Sequence, residues 1–215
     1  MSIWVGYKQE GLAVKEKNVI YYDVRQTPFK IYGFSNPQIN FHRMPDEVAE
    51  SASDAVAIHN KSAAGGRVRF STDSSYVAIK VKHASYNSGA PGISRQGYLG
   101  IDMYVEKNGI DVYCGSFMPP VDMEDEYEGI LYINGDGVHQ ITLCMPYVKE
   151  IYDMRVGIDK SSVLEAHTPY KQENPIVFYG SSITQGVSAS RPGNSYENFI
   201  SRSLDCNYIN LGFAG

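Results

Sequence analysis

"PIVFYGSSITQGVSASRPGNSYENF", residues 175–199, decides how this chain is read, because its pattern breaks with everything before it. The apolar run Ile176-Val177-Phe178-Tyr179 has the continuity of a strand buried on both faces. It stops at Gly180, and the small hydroxyl residues Ser181, Ser182 and Thr184 follow. Tyr196, Phe199, Ile200, Ser203 and Leu204 then fall at helical spacing, with Asn194 and Glu197 as a capping pair. "NYINLGF" (207–213) reads as a second strand. Residues 175–215 therefore form one β-α-β unit, the repeating piece of an α/β domain.

Upstream, from Asn18 to Asp159, β-type segments recur with turn residues between them, among them "NVIYYDV", "GRVRFST", "YVAIKVKH" and "VHQITLCMPY". Several alternate cleanly, as where Val77, Ile79 and Val81 share a face opposite Ala78, Lys80 and Lys82. "EKNGI" (106–110) is a hairpin signal, since Asn108-Gly109 tolerates the positive φ angles of a tight turn. The expectation is a mainly β fold, an antiparallel, jelly-roll-like β-sandwich. One helix, "DEVAESASDAVAIH" (46–59), interrupts it, with Val48, Ala52, Ala55, Val56 and His59 on one side. The domains are placed at 1–165 and 175–215. The polar, proline-containing stretch 161–175 joins them as a linker.

Bulk properties narrow the function. Of 215 residues, 43% are hydrophobic and 20% charged, an ordinary soluble composition. A net charge of -5 without a Lys/Arg cluster argues against a nucleic-acid partner. No apolar stretch approaches the ~20 residues of a membrane helix, and the first residues lack a secretory pattern. Cys114, Cys144 and Cys206 are odd in number and lie in apolar segments, which fits buried thiols and a cytoplasmic setting. The 17 tyrosines suit half-buried strands more than a sugar-lined surface. The acidic run "DMEDEYE" (122–128) reads as a solvated loop whose spacing matches no EF-hand, so neither metal nor cofactor is expected.

The hydroxyl-rich turn fits none of the common site motifs. A P-loop fails because Val187 stands where its lysine belongs. There is no G-x-G-x-x-G, and the esterase elbow G-x-S-x-G fails at Thr184. What remains is a serine at the C-terminal edge of a parallel strand, where α/β sheets bind their ligands and backbone N–H groups can face an oxyanion.

That arrangement resembles the SGNH (GDSL-type) hydrolase family. "YGSSIT" looks like its first block with Ser182 at the nucleophile position. "INLGFAG" looks like its second, whose closing glycine, Gly215, supplies an oxyanion-hole N–H. "SASRPGNSY" (188–196) is similar to a subgroup with an N-terminal β-domain bearing G-x-D-[LM]-Y, matched here by Gly100-Ile101-Asp102-Met103-Tyr104. The resemblance implies a flavodoxin-like SGNH domain beginning at 175. It also implies an ester hydrolase acting on small-molecule or carbohydrate esters. The family's later asparagine and Asp-x-x-His pair are expected after Gly215, which would leave this chain inactive by itself. All five histidines, at positions 42, 59, 83, 139 and 167, precede Ser182, and none is read as its base. Arg191 is a candidate for facing an acidic substrate group, although fixing its loop is the plainer role. Asp102 is read as a strand residue accepting hydrogen bonds rather than a catalytic one.

Two functions stand from the sequence. One is an SGNH-class serine esterase, and the other is a non-catalytic glycan-binding sandwich. In either case Ile176, Phe178, Tyr196, Phe199, Ile200, Leu204, Ile209 and Leu211 need cover. Packing on the sandwich and association between copies are expected to supply it.

Overall fold

The structure, a computed structural model, describes residues 16–86, 89, 91–121 and 124–214. Strands β1 (Val19–Asp23) and β2 (Lys30–Tyr32) precede helices α1 (Asp46–Ala52) and α2 (Asp54–Asn60). Then come β3 (Arg67–Thr72), β4 (Tyr76–His83), α3 (Arg95–Leu99), β5 (Ile101–Lys107), β6 (Ile110–Phe117) and β7 (Glu126–Tyr132). β8 (His139–Cys144), β9 (Ile151–Asp159) and β10 (Leu164–Glu165) follow. The chain continues with β11 (Gln172–Gly180), α4 (Ser182–Gln185), α5 (Tyr196–Leu204) and β12 (Cys206–Gly212).

Two antiparallel sheets form the larger part, one in the order β1-β9-β4-β7 and the other β10-β3-β8-β5-β6, with β2 also on β3. Their inner faces make the core. Val77, Ile79 and Val81 of β4 meet Val68, Phe70, Met103, Ile141 and Leu143 of the second sheet, all fully or nearly fully buried. The β5–β6 hairpin turns through Asn108 and Gly109, at φ 53° and 77°, because these residue types accept the left-handed region.

Three local expectations are corrected. The helix at 46–59 is two helices, broken at Ser53, which is extended and accepts a hydrogen bond from Val56 N as the cap of α2. Of the residues that share one side, Val48, Ala52 and Ala55 are exposed. The stretch 161–175 is no free linker: β10 pairs with β3, and His167 and Tyr170 are buried. Within the acidic run, Glu126 and Glu128 belong to β7 and stand opposite Lys82 and Lys80 across the β4–β7 ladder, so they sit in a strand and not a loop.

The outer face of the second sheet explains how the rest of the chain attaches. Register places Arg67, Cys144, Asp102 and Ser116 in one row across β3, β8, β5 and β6. Arg69, Thr142, Tyr104 and Tyr113 form the next row. These polar side chains are buried, Tyr113 excepted, because the C-terminal unit lies on them. Helix α5 turns Glu197, Asn198 and Ser201 inward, while Tyr196, Phe199 and Leu204 stay exposed, as do Val177 and Tyr179 of β11. The unit thus docks by its polar side, not by the apolar faces expected to do so. Arg67 and Asp102 are hydrogen-bonded across this face, whereas Thr142 Oγ1 and both Glu197 carboxylate oxygens are buried without a partner, and unpaired burial is the costly kind. The N-cap of α5 is also one residue later than expected, at Ser195, whose hydroxyl accepts from Asn198 Nδ2.

Candidate active site

Strands β11 and β12 run parallel, with Phe178 opposite Asn210 and Gly180 opposite Gly212. Neither glycine could carry a side chain. A Cβ on Gly180 would strike the Thr184 side chain, and one on Gly212 would strike the backbone of Thr184 and Gln185. Freed of both, the chain turns after Gly180 and lays α4 over the C-terminal ends of the strands. Ser182 is the first residue of α4 and half-buried, with Ser181 before it as an exposed N-cap. The N–H groups of a first helical turn have no intrahelical acceptor and are available to an anion. Gly186, in the left-handed region at φ 95°, closes the helix.

A polar web fixes this turn against β12. Asn210 Nδ2 donates to the Thr184 carbonyl at 2.6 Å, and Asn210 Oδ1 accepts from Gly212 N at 2.9 Å. Gln185, buried, donates through Nε2 to the Tyr147 carbonyl and accepts through Oε1 from Ala214 N, both at 2.9 Å. Phe213 N donates to the Gly180 carbonyl at 3.0 Å. Sequence reasoning missed Asn210 and Gln185. Their signal was available only as polar residues inside otherwise apolar or small-residue blocks. Gly215, expected to supply the second oxyanion N–H, lies outside the described residues.

No histidine serves Ser182 among the described residues. His42 is held between Asp46 (2.7 Å) and Glu150 (2.9 Å), His83 bonds the Ala84 carbonyl, and His139 bonds the Gly135 carbonyl. His59 has its pKa lowered by burial and by Arg43. His167 is fully engaged: Nδ1 lies 2.7 Å from the Thr168 carbonyl and Nε2 3.2 Å from Arg69 Nη2. The carbonyl can only accept and the guanidinium only donate, so Nδ1 carries the proton and Nε2 receives one. Burial, with the Arg69 charge beside it, lowers its pKa to about 4. Such an imidazole has no lone pair free for a serine. The cysteines are no alternative nucleophile, as burial pushes Cys144 up to about 12 and Cys114 to about 11.

Arg191 stands at the junction of the two parts. Its Nη1 donates to Asp102 Oδ2 at 2.9 Å and to the Tyr104 hydroxyl at 2.7 Å, and its guanidinium lies 3.6 Å from the Tyr113 ring centroid. Asp102, fully buried, also accepts from Gly193 N (2.8 Å), Ser116 Oγ (2.6 Å) and Gln96 Nε2 (3.1 Å). Four donors make this carboxylate the anchor of the loop between α4 and α5. A groove of about 840 Å³ runs beside it, between the β5–β6 hairpin and α5, lined by Arg191, Tyr104, Tyr113, Phe199 and Arg202 among others. Across the chain, too, tyrosines serve the interior: Tyr98, Tyr104, Tyr127, Tyr147, Tyr170 and Tyr208 are all buried.

Among the described residues no helix is long and apolar enough to cross a membrane, and no three His, Cys, Asp or Glu side chains are grouped to hold a metal ion.

The family described as GxDLY, N-terminus of Esterase_SGNH_hydro-type, matches residues 19–164, and the GDSL-like Lipase/Acylhydrolase family matches residues 173–215. Among solved structures, a GDSL-like lipase from Bacteroides ovatus ATCC 8483 is 28% identical with a TM-score of 0.82, covering 92% of this chain and 57% of its own. The salicylyl-acyltransferase SsfX3 of a tetracycline biosynthetic pathway shares the fold at 19% identity and TM-score 0.72, over 93% of this chain and 55% of its own. The acetyl xylan esterase Est2A from the rumen bacterium Butyrivibrio proteoclasticus shares it at 13% and 0.54, over 91% and 49%. This chain therefore spans about half the length of the structures it matches. No curated protein matches it in sequence.

Proposed function

The chain belongs to the SGNH-type esterases with a GxDLY N-terminal domain, and on that premise we propose that it forms part of a serine ester hydrolase with Ser182 as nucleophile. The observation that carries the proposal is the Gly180–Gly212 pair, which lets α4 cross the strand ends with Ser182 at its start. In this reading Ser182 Oγ attacks an acyl carbonyl and passes its proton to a histidine base. The oxyanion takes hydrogen bonds from the backbone N–H groups of Ser182 and Gly215. Collapse expels the alcohol, and water then hydrolyses the acyl-serine with the same base assisting. The histidine is assigned, on the family pattern, to an Asp-x-x-His following the second block, in agreement with the engagement of the histidines described above. The substrates proposed are small acyl esters, acetyl esters of carbohydrates among them.

Hydrolysis of an activated aryl acetate by the complete gene product tests this. Ser182→Ala should lower the rate by several orders of magnitude, as loss of a nucleophile does, and Ser181→Ala should retain most of it. The reverse ranking would place the nucleophile at Ser181 and refute the proposal.

A further inference from the structure

Arg43 belongs to the sandwich side of the molecule, in the loop between β2 and α1, yet its side chain ends under the C-terminal unit. It is buried to 2% exposure. Its Nη1 donates to the Gly212 carbonyl and reaches Asn210 O and Oδ1 at 3.4 Å, while Nη2 donates to the His59 carbonyl. The guanidinium carbon lies 4.4 Å from the centroid of the Phe213 ring, a cation–π distance. The acceptors are carbonyls and one amide, with no carboxylate among them. Burial without an opposing anion lowers the Arg43 pKa to about 9, so at neutral pH the site still holds a cation.

A buried arginine with no carboxylate partner is costly to keep. Its location gives the reason for keeping it. Asn210, Gly212 and Phe213 lie within the four residues before Ala214 and Gly215. Asn210 also carries the bond to the Thr184 carbonyl, two residues from Ser182 in α4. Arg43 therefore touches the segment leading to the oxyanion glycine and, through Asn210, the helix bearing the nucleophile.

We infer that Arg43 is a positioning residue for ester hydrolysis, by which the sandwich fixes the oxyanion segment of β12 against α4. The inference rests on the reading of Ser182 as nucleophile and deepens it: the sandwich completes the geometry of the site rather than only accompanying it. Oxyanion donors act through preorganisation, and a displacement near 1 Å is enough to lower a rate about a hundredfold.

The test compares Arg43→Met and Arg43→Lys in the complete gene product, with aryl acetate turnover and amide hydrogen exchange as readouts. Methionine keeps much of the volume and removes the charge and the donors. It should lower kcat at least about tenfold, leave KM within about threefold, and speed exchange at 212–214 without altering β5–β6. Lysine, which retains a cation and a donor but not the fork, should fall between methionine and the parent in both readouts. A folded Arg43→Met protein with kcat within about twofold of the parent would overturn the inference. So would Arg43→Lys with exchange at 212–214 indistinguishable from the parent, the decisive comparison if the methionine variant does not fold. Were Ser182→Ala to remain active, the nucleophile reading would fall, while exchange at 212–214 would still decide whether Arg43 holds that segment.

Discussion

Asp102 on the sandwich and Arg191 in the loop after α4 form a 2.9 Å salt bridge across the junction of the two parts of the chain. Asp102 is completely buried, and the same carboxylate oxygen accepts the Gly193 amide. Gly193 is crowded as well, since a Cβ there would strike the Tyr104 ring. The junction is therefore built around one anion. Asp102→Ala should cost about 2–4 kcal/mol, below the full value for a buried pair because Arg191 keeps some access to water. Urea unfolding measures this, and a change under ~0.5 kcal/mol would contradict the anchoring role.

Arg67 is the second fastening. It donates to Tyr170 and to Asn207 Oδ1 and the Tyr208 carbonyl of β12, and its guanidinium lies 3.7 Å from the Tyr208 ring centroid. Arg67→Ala should leave the sandwich folded and release the C-terminal unit. Hydrogen exchange would show faster exchange through 172–212 and unchanged protection in β4 and β9.

Gly212→Ala should displace α4, since the added methyl meets backbone and not a flexible side chain. Overpacking of this kind costs about 1–3 kcal/mol. Thermal unfolding should register the loss, and ester hydrolysis by the complete gene product should fall more than stability alone explains. Wild-type turnover in this variant would remove the Gly180–Gly212 pair from the account.

His167 gives a pH dependence with a defined sign. Its pKa falls from the ordinary 6.5 to about 4 on folding, so between these values the unfolded chain binds more protons than the folded one. The contribution is intact above pH ~6.5 and is lost as pH falls toward ~4. His167→Gln should flatten that part of the stability–pH curve, measured by urea unfolding at several pH values. An unchanged slope would mean that His167 titrates normally.

The sandwich was legible because its strands alternate and its hairpin carries Asn108-Gly109, both local signals. The β-α-β unit was legible for the same reason, as a change of period at Ile176. Packing of that unit on the sandwich was expected too, but not the polar face that makes it. Asp102 as a hydrogen-bond-accepting strand residue and Arg191 as a loop-fixing one were within reach, but Arg43 and Arg67, which also attach the unit, carry no signal in a local window. Only the register of β3, β8 and β5 shows that Arg67 and Asp102 share a face, which the C-terminal unit covers. The break at Ser53 escaped for a smaller reason: a serine within a helical period is tolerated, and only its extended backbone makes it a cap.

The most direct measurement is covalent capture. The complete gene product, treated with a serine-directed fluorophosphonate, would be digested and the adduct located by peptide mass spectrometry. The account predicts a single phosphonyl group on Ser182, with labelling abolished in Ser182→Ala and retained in Ser181→Ala. Hydrolytic activity accompanied by an adduct on Ser181 or on a residue elsewhere, with Ser182 unmodified, would contradict it.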